Sequence, residues 1–298
     1  KEQEIQFLKS ICRKKNKMRL SLFLNKDIES NIALNCLLPT LSKYDFNIYL
    51  TEKVGNESPI EPLRQLAFLE REFPNQHLFP ELEMNPGRGF LSFDQIKNKY
   101  GVSVTVITSL QASLKDISAF NPDLFISIRF GKIFKGEVLS IPPLGIINLH
   151  SAILPNYKGV MGTFRALLNG ETKIGTTTHY ITDSGIDTGK IISINERPVT
   201  PGKSVLWHIV NLYPQAIATL QDIIDKIAQS QKIDATPQPL GGQYYSFPTM
   251  EDFDQLNNKG WLLYDWNEYS DLLHYFYKVD KDWVVRILNE LGNKPQSA

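Results

Sequence analysis

Short, nearly unbroken apolar runs, separated by amphipathic stretches, constrain this chain more than any other feature. Residues 19–24 (RLSLFL), 46–50 (FNIYL), 102–108 (VSVTVIT), 123–128 (DLFISI) and 145–149 (GIINL) each read as a strand. Strands apolar on both faces belong in a parallel sheet covered by helices on both sides. Between them, residues 31–38 put Leu34, Leu37 and Leu38 on one helical face, with Pro39 expected just past the helix end. Residues 114–120 predict a short helix and residues 163–168 begin another. Residues 175–181 and 190–194 alternate more and predict later strands. Residues 205–227 predict a long amphipathic helix that Pro214 should kink or divide. Residues 55–97 look less regular, with a turn at Asn85, Pro86 and Gly87. Residues 237–242 (PQPLGG) predict a linker or tight turn, and the aromatic-rich stretch beyond predicts a small helical appendage. The expected class is α/β with a mostly parallel central sheet. It divides into an N-terminal extension (1–17), a main α/β domain (18–229) and a small C-terminal region (230–298).

Charge and cysteine usage narrow the function classes. Lys plus Arg and Asp plus Glu balance at 32 each, so no general electrostatic pull toward nucleic acid is expected, although a local patch stays open. Cys12 and Cys36 have no CxxC spacing, which argues against a zinc site or disulfide framework and for reduced thiols in the cytoplasm. No apolar run approaches the roughly 18 residues that span a bilayer. The basic N-terminal stretch lacks the apolar segment of a secretory signal and is expected to form a short solvated helix ahead of the first strand.

One stretch is dense in chemistry-bearing residues. Asn148 and His150 stand two apart at the end of an apolar strand, so they share a face. In open α/β sheets, ligands bind beyond the carboxyl ends of the strands. An amide N–H can hold a carbonyl oxygen as negative charge builds on it. A histidine can move a proton near neutral pH, or as a cation stabilise that oxyanion. Asp187, in Asp-Thr-Gly, can orient the imidazole and take up a proton through water. The plain alternatives are a loop-capping Asn-x-His pair and a turn aspartate. An aspartic protease needs two such aspartates in an all-β fold, and no GxSxG nucleophile elbow is present. This chemistry calls for no metal.

Residues 145–159 (GIINLHSAILPNYKG), 175–180 (GTTTHY) and 183–191 (DSGIDTGKI) together resemble the signature of the formyl-tetrahydrofolate-dependent formyltransferases. The resemblance is dense from Pro122 to Pro198 and weaker from Met18. It implies a Rossmann-like formyltransferase domain and N10-formyltetrahydrofolate as the formyl donor. It implies that Asn148, His150 and Asp187 carry the catalysis, with His179 buttressing the site. It also implies a donor pocket built from Phe130, Lys132, Ile133 and Phe134 and from Ile181, Thr182, Asp183 and Gly185. Core packing is the equal alternative for Ile133 and Phe134.

The acceptor is less legible. The stretch Leu24 to Glu29 lacks a Gly-rich phosphate loop, which disfavours a phosphoribosyl acceptor. Within the family, Tyr157-Lys158-Gly159 departs from the Arg-Gly loop usual in methionyl-tRNA formyltransferases. An amino sugar on a nucleotide or lipid carrier, or another small amine, is therefore expected. A methionyl-tRNA formyltransferase-like enzyme, a formyltetrahydrofolate hydrolase and a non-catalytic folate- or nucleotide-binding module are the alternatives. Tyr244, Tyr245, Phe247 and Trp261 are expected mainly as core of the appendage, with stacking on a base or sugar as the second role. A homodimer contact through that region is left open.

Overall fold

The computed structural model describes residues 17–52 and 58–291. The expected N-terminal extension, apart from Lys17, lies outside them. A seven-stranded sheet organises the chain: β1 (Arg19–Asn25), β2 (Asp45–Thr51), β3 (Val104–Val106), β4 (Leu124–Ile128), β5 (Ile146–His150), β7 (Lys173–Ile181) and β8 (Ile191–Pro198). The spatial order is β3-β2-β1-β4-β5-β7-β8. The first five are parallel to their neighbours, while β7 and β8 are added antiparallel at one side. The mostly parallel α/β expectation holds. β6 (Tyr157–Gly159) and β9 (Gln243–Tyr245) form a separate two-stranded parallel ribbon.

Strand alternation sorts the core onto two faces. Leu20, Leu22 and Leu24 join a large cluster with α1 (Ile28–Leu41) and α7 (Val205–Ala228), whereas Phe23 joins Tyr49, Phe125, Phe134 and Ile146 on the other face. On β5, Ile147 and Leu149 belong to the large cluster. Asn148 and His150 therefore face the side that carries Phe134 and Phe125.

Both prolines that were expected to end or break helices lie inside them. Pro39 sits within the last turn of α1, where only a terminal hydrogen bond is lost and Leu38 and Leu41 stay buried. α7 runs undivided through Pro214, because Val210, Tyr213, Ala216 and Ile217 form one continuous buried stripe. Tertiary packing outweighs the local penalty in both. β3 is shorter than the predicted seven residues, since it pairs with β2 over three residues only. The stretch read as irregular is largely helical where described: α2 (Glu61–Ala67), wide π-type turns at Phe68–Glu72 and Pro74–Leu78, α3 (Phe79–Met84) and α4 (Phe93–Tyr100). Three prolines within these elements, Pro62, Pro74 and Pro80, and the wide turns hide its 3.6-residue period.

α5 (Leu114–Ala119) and α6 (Gly162–Leu168) complete the sheet's cover. The C-terminal helices α8 (Met250–Asn258), α9 (Trp266–Tyr277) and α10 (Lys281–Glu290) place Phe253, Leu273, Tyr277 and Val284 in the large cluster. The Tyr277 hydroxyl donates to Asn31 Oδ1 at 2.7 Å and the Tyr269 hydroxyl to the Leu69 carbonyl at 2.7 Å. Among the described residues, no helix is long and apolar enough to cross a membrane.

Candidate active site

The carboxyl ends of β1, β4 and β5 open into one cavity of about 1180 Å³. β1 lies between β2 and β4, so the chain reverses its winding direction there, and such a switch point leaves a crevice. Asn148, His150, His179 and Asp187 all line this cavity. Asn148 pairs with His179 across β5 and β7, which puts both side chains on one face. The loop after β7 folds back over that face and brings Asp187 to them.

The hydrogen bonds define orientations. Carbonyl oxygens only accept, so His150 donates from Nε2 to the Tyr157 carbonyl at 2.7 Å. Its Nδ1 then faces Asp187 Oδ2 at 3.7 Å. By the same reasoning His179 donates from Nδ1 to the Tyr180 carbonyl at 2.9 Å. That leaves Nε2 to accept from the Asn148 amide at 3.1 Å. The same nitrogen lies 3.4 Å from Asp187 Oδ1. Among the described residues, the second amide hydrogen of Asn148 has no partner, so it is free for a ligand oxygen.

Asp187 Oδ2 also accepts from the Gly159 N–H at 2.8 Å. Burial would push the Asp187 carboxyl up, but His150, the contact with His179 and the Gly159 N–H together hold it down at about 2. It is ionised throughout the neutral range. Gly159 has φ +92°, and a Cβ there would lie 2.2 Å from the Tyr245 carbonyl. We expect Gly159→Ala to cost at least about 2 kcal/mol of stability, read from urea unfolding, because strain and a backbone clash add. Wild-type stability in that variant would show that the loop can relax.

The remaining predicted pocket residues are distributed around this centre. Phe130, Lys132, Ile133, Phe134, Ile181, Asp183 and Gly185 line the cavity. Thr182 is exposed and does not. Phe134 is 3% exposed and packs on Phe23, whereas Ile133 is 50% exposed. Tyr244 and Phe247, expected mainly as core, are 56% and 44% exposed and sit on the cavity rim. Tyr245 stacks on Tyr157, and Trp261 packs against the core beside His208.

Sequence reasoning missed a second polar group on the cavity wall. Arg129, in the left-handed region at φ +55°, donates from Nε to Asp27 Oδ2 at 2.9 Å. Its Nη2 lies 3.5 Å from Glu70 and 3.6 Å from the buried Glu29. Burial first, then Glu70 and Asp27, push the Glu29 carboxyl up against the pull of Arg129. Asp27 Oδ1 caps α1 by accepting from the Ser30 N–H at 2.8 Å. A helix N-terminus that suits a phosphate therefore already holds its own carboxylate. No local motif joins positions 27, 70 and 129.

Known proteins share parts of this sequence and its fold. A family model described as "Formyl transferase" matches residues 98–207. The methionyl-tRNA formyltransferase of Elusimicrobium minutum (strain Pei191) is 30% identical over 172 residues, 55% of this chain and 50% of that protein. Among solved structures, the N-formyltransferase from Helicobacter canadensis in complex with folinic acid and dTDP-3-aminofucose aligns with a TM-score of 0.51 at 19% identity, covering 77% of this chain and 71% of that one. Glycinamide ribonucleotide transformylase 1 from Symbiobacterium toebii aligns with a TM-score of 0.51 at 16% identity, covering 76% and 96%. These two likenesses bear on the fold alone. The seven-stranded sheet shares its fold with both of these structures. Over the matched stretch the chain is similar to formyl transferases. It spans about half the length of the curated relatives that it matches.

Proposed function

We propose that this chain transfers the formyl group of N10-formyltetrahydrofolate to an amine acceptor, in the cytoplasm, where its two thiols stay reduced. The carrying observation is the convergence of Asn148, His150 and Asp187 on one sheet face within a single cavity. The cavity exceeds the usual drug-sized range of about 300–1,000 Å³, which leaves room for two substrates. Phe130, Ile133 and Ile181 offer the apolar walls that suit a flat heteroaromatic donor, with backbone groups of residues 181–185 beside them.

The donor supplies the electrophilic formyl carbon. As the amine attacks, the free N–H of Asn148 donates to the carbonyl oxygen on which charge builds. A protonated His150 adds its positive charge there, with Nε2 anchored on the Tyr157 carbonyl. The ionised Asp187 draws the amine proton away, directly or through water; the C–N10 bond of the adduct then breaks and that proton passes to N10, so the formamide and tetrahydrofolate leave with Asp187 ionised again. The Gly159 N–H keeps that carboxylate aimed at His150.

An amino sugar on a nucleotide or lipid carrier, or another small amine, is the acceptor class we favour. Tyr244 and Phe247 offer exposed flat surfaces at the rim, and the carboxylate cap of α1 disfavours a phosphate at that wall. The likeness to a methionyl-tRNA formyltransferase favours a second reading, in which an aminoacyl end supplies the amine. The test incubates the protein and formyl-tetrahydrofolate with nucleotide-linked amino sugars, small amines and methionyl-tRNA. We expect one amine to gain the mass of CO by mass spectrometry. Formate release without any amine would point to a hydrolase, and inert mixtures throughout would end the transferase reading.

A further inference from the structure

We infer that Gln238, far along the chain from the matched family segment, is a positioning residue for the Asp187 loop. Residues 237–242, expected as a linker or tight turn, run as a strap across the site. Upstream, Ile191 and Thr236 exchange two backbone hydrogen bonds of 2.8 Å. Downstream, β9 pairs with β6, and Gly242 passes so close to Pro155 that a Cβ would lie 2.0 Å from its carbonyl. The strap therefore bridges the loop that carries Asp187 and the loop that carries Gly159.

Between those anchors, Gln238 Nε2 donates to the Asp187 carbonyl at 2.7 Å and the Gly189 carbonyl at 2.8 Å. Both partners only accept, so the amide orientation is forced. Its Oε1 is buried with no partner among the described residues, an arrangement that persists only if the two donated bonds outweigh that cost. The backbone they hold needs holding: Asp187 sits at φ +53°, and a non-glycine residue stays there only where its surroundings over-determine it. Gly189 is locked as well, since a Cβ would fall 1.7 Å from the Tyr180 carbonyl. Fixing both carbonyls fixes the backbone from which the Asp187 carboxylate reaches His150 and Gly159. The kinetic part of the inference rests on the proposed function; the structural part does not.

Two variants keep the side chain's length. Gln238→Glu replaces the donor with oxygens that repel the two carbonyls, and Gln238→Met removes the donor without adding charge. The Gly159 amide donates to Asp187, so its hydrogen exchange reports whether the carboxylate stays in place. We expect that exchange to accelerate at least about 10-fold in both variants, with amides of β1 and α7 unchanged. We expect kcat to fall at least about 10-fold while the donor KM stays within about two-fold. In an Asp187→Asn background, Gln238→Met should add no more than about a two-fold loss, because both changes act through one group. Unchanged Gly159 exchange, or kinetic losses that simply multiply, would overturn the assignment. If Gln238→Glu does not fold, Gln238→Met decides alone. A wild-type chain that transfers formyl to nothing, yet loses Gly159 protection in the variants, would refute the proposed function and leave the positioning role standing.

Discussion

In a His150→Ala variant, formyl transfer falls by about 10³-fold, the size expected when a charged oxyanion partner is lost. Donor binding, followed by fluorescence or calorimetry, stays close to wild type, because the apolar walls at Phe130, Ile133 and Ile181 do not involve the imidazole. The loss then appears in kcat and not in KM, which marks an interaction made in the transition state. His150 is 9% exposed, and its removal leaves the Tyr157 carbonyl without its donor, so some stability is lost too. His150→Gln separates the two effects. Its amide can still donate toward Tyr157, which preserves the fold, but it cannot carry a positive charge. Both variants should be poor catalysts, with the Gln form nearer to wild type in unfolding. Full turnover in either would remove His150 from the chemistry.

Asp187→Asn is expected to lower kcat by about 10²- to 10³-fold. The replacement keeps an oxygen for the Gly159 N–H but removes the negative charge that faces His150 and His179. The sign of the accompanying pH effect follows from the carboxyl being held at about 2 in the fold against an ordinary 3.8. A depressed carboxyl contributes stability that is complete above the unfolded value and lost as pH falls through the folded one. The stability gap between wild type and Asp187→Asn should therefore be flat from neutral pH down to about 5 and shrink through the acid range. Urea unfolding at several pH values reads this directly. A gap that widens on acidification would mean that the carboxylate is not held as an ion.

The pair on β5 was legible because strand geometry is local. Two residues at i and i+2 share a face whatever surrounds them, and apolar neighbours at 147 and 149 fix which face is core. Asp187 was legible only through its motif, since its approach to His150 spans a loop that no period describes. The resemblance named the expected donor residues, and the cavity is lined by all of them but Thr182, which is exposed. The aromatic residues beyond position 240 could not be sorted from composition. Tyr245 stacks inward while its neighbour Tyr244 faces the rim, because β9 alternates across a ribbon whose partner, β6, lies far earlier in the chain.

By itself the amino-acid order determined the layered α/β sheet, the strand that carries Asn148 and His150, and the formyltransferase resemblance whose motif Asp187 completes. Each rests on short-range periodicity or on contiguous residues. Only the folded chain decided that Pro39 and Pro214 stay within helices, that Arg129 meets Asp27 and Glu70, and that Gln238 reaches the Asp187 loop. Those contacts join residues tens to a hundred positions apart, or set burial against a local backbone preference. A window of neighbouring residues holds no record of either.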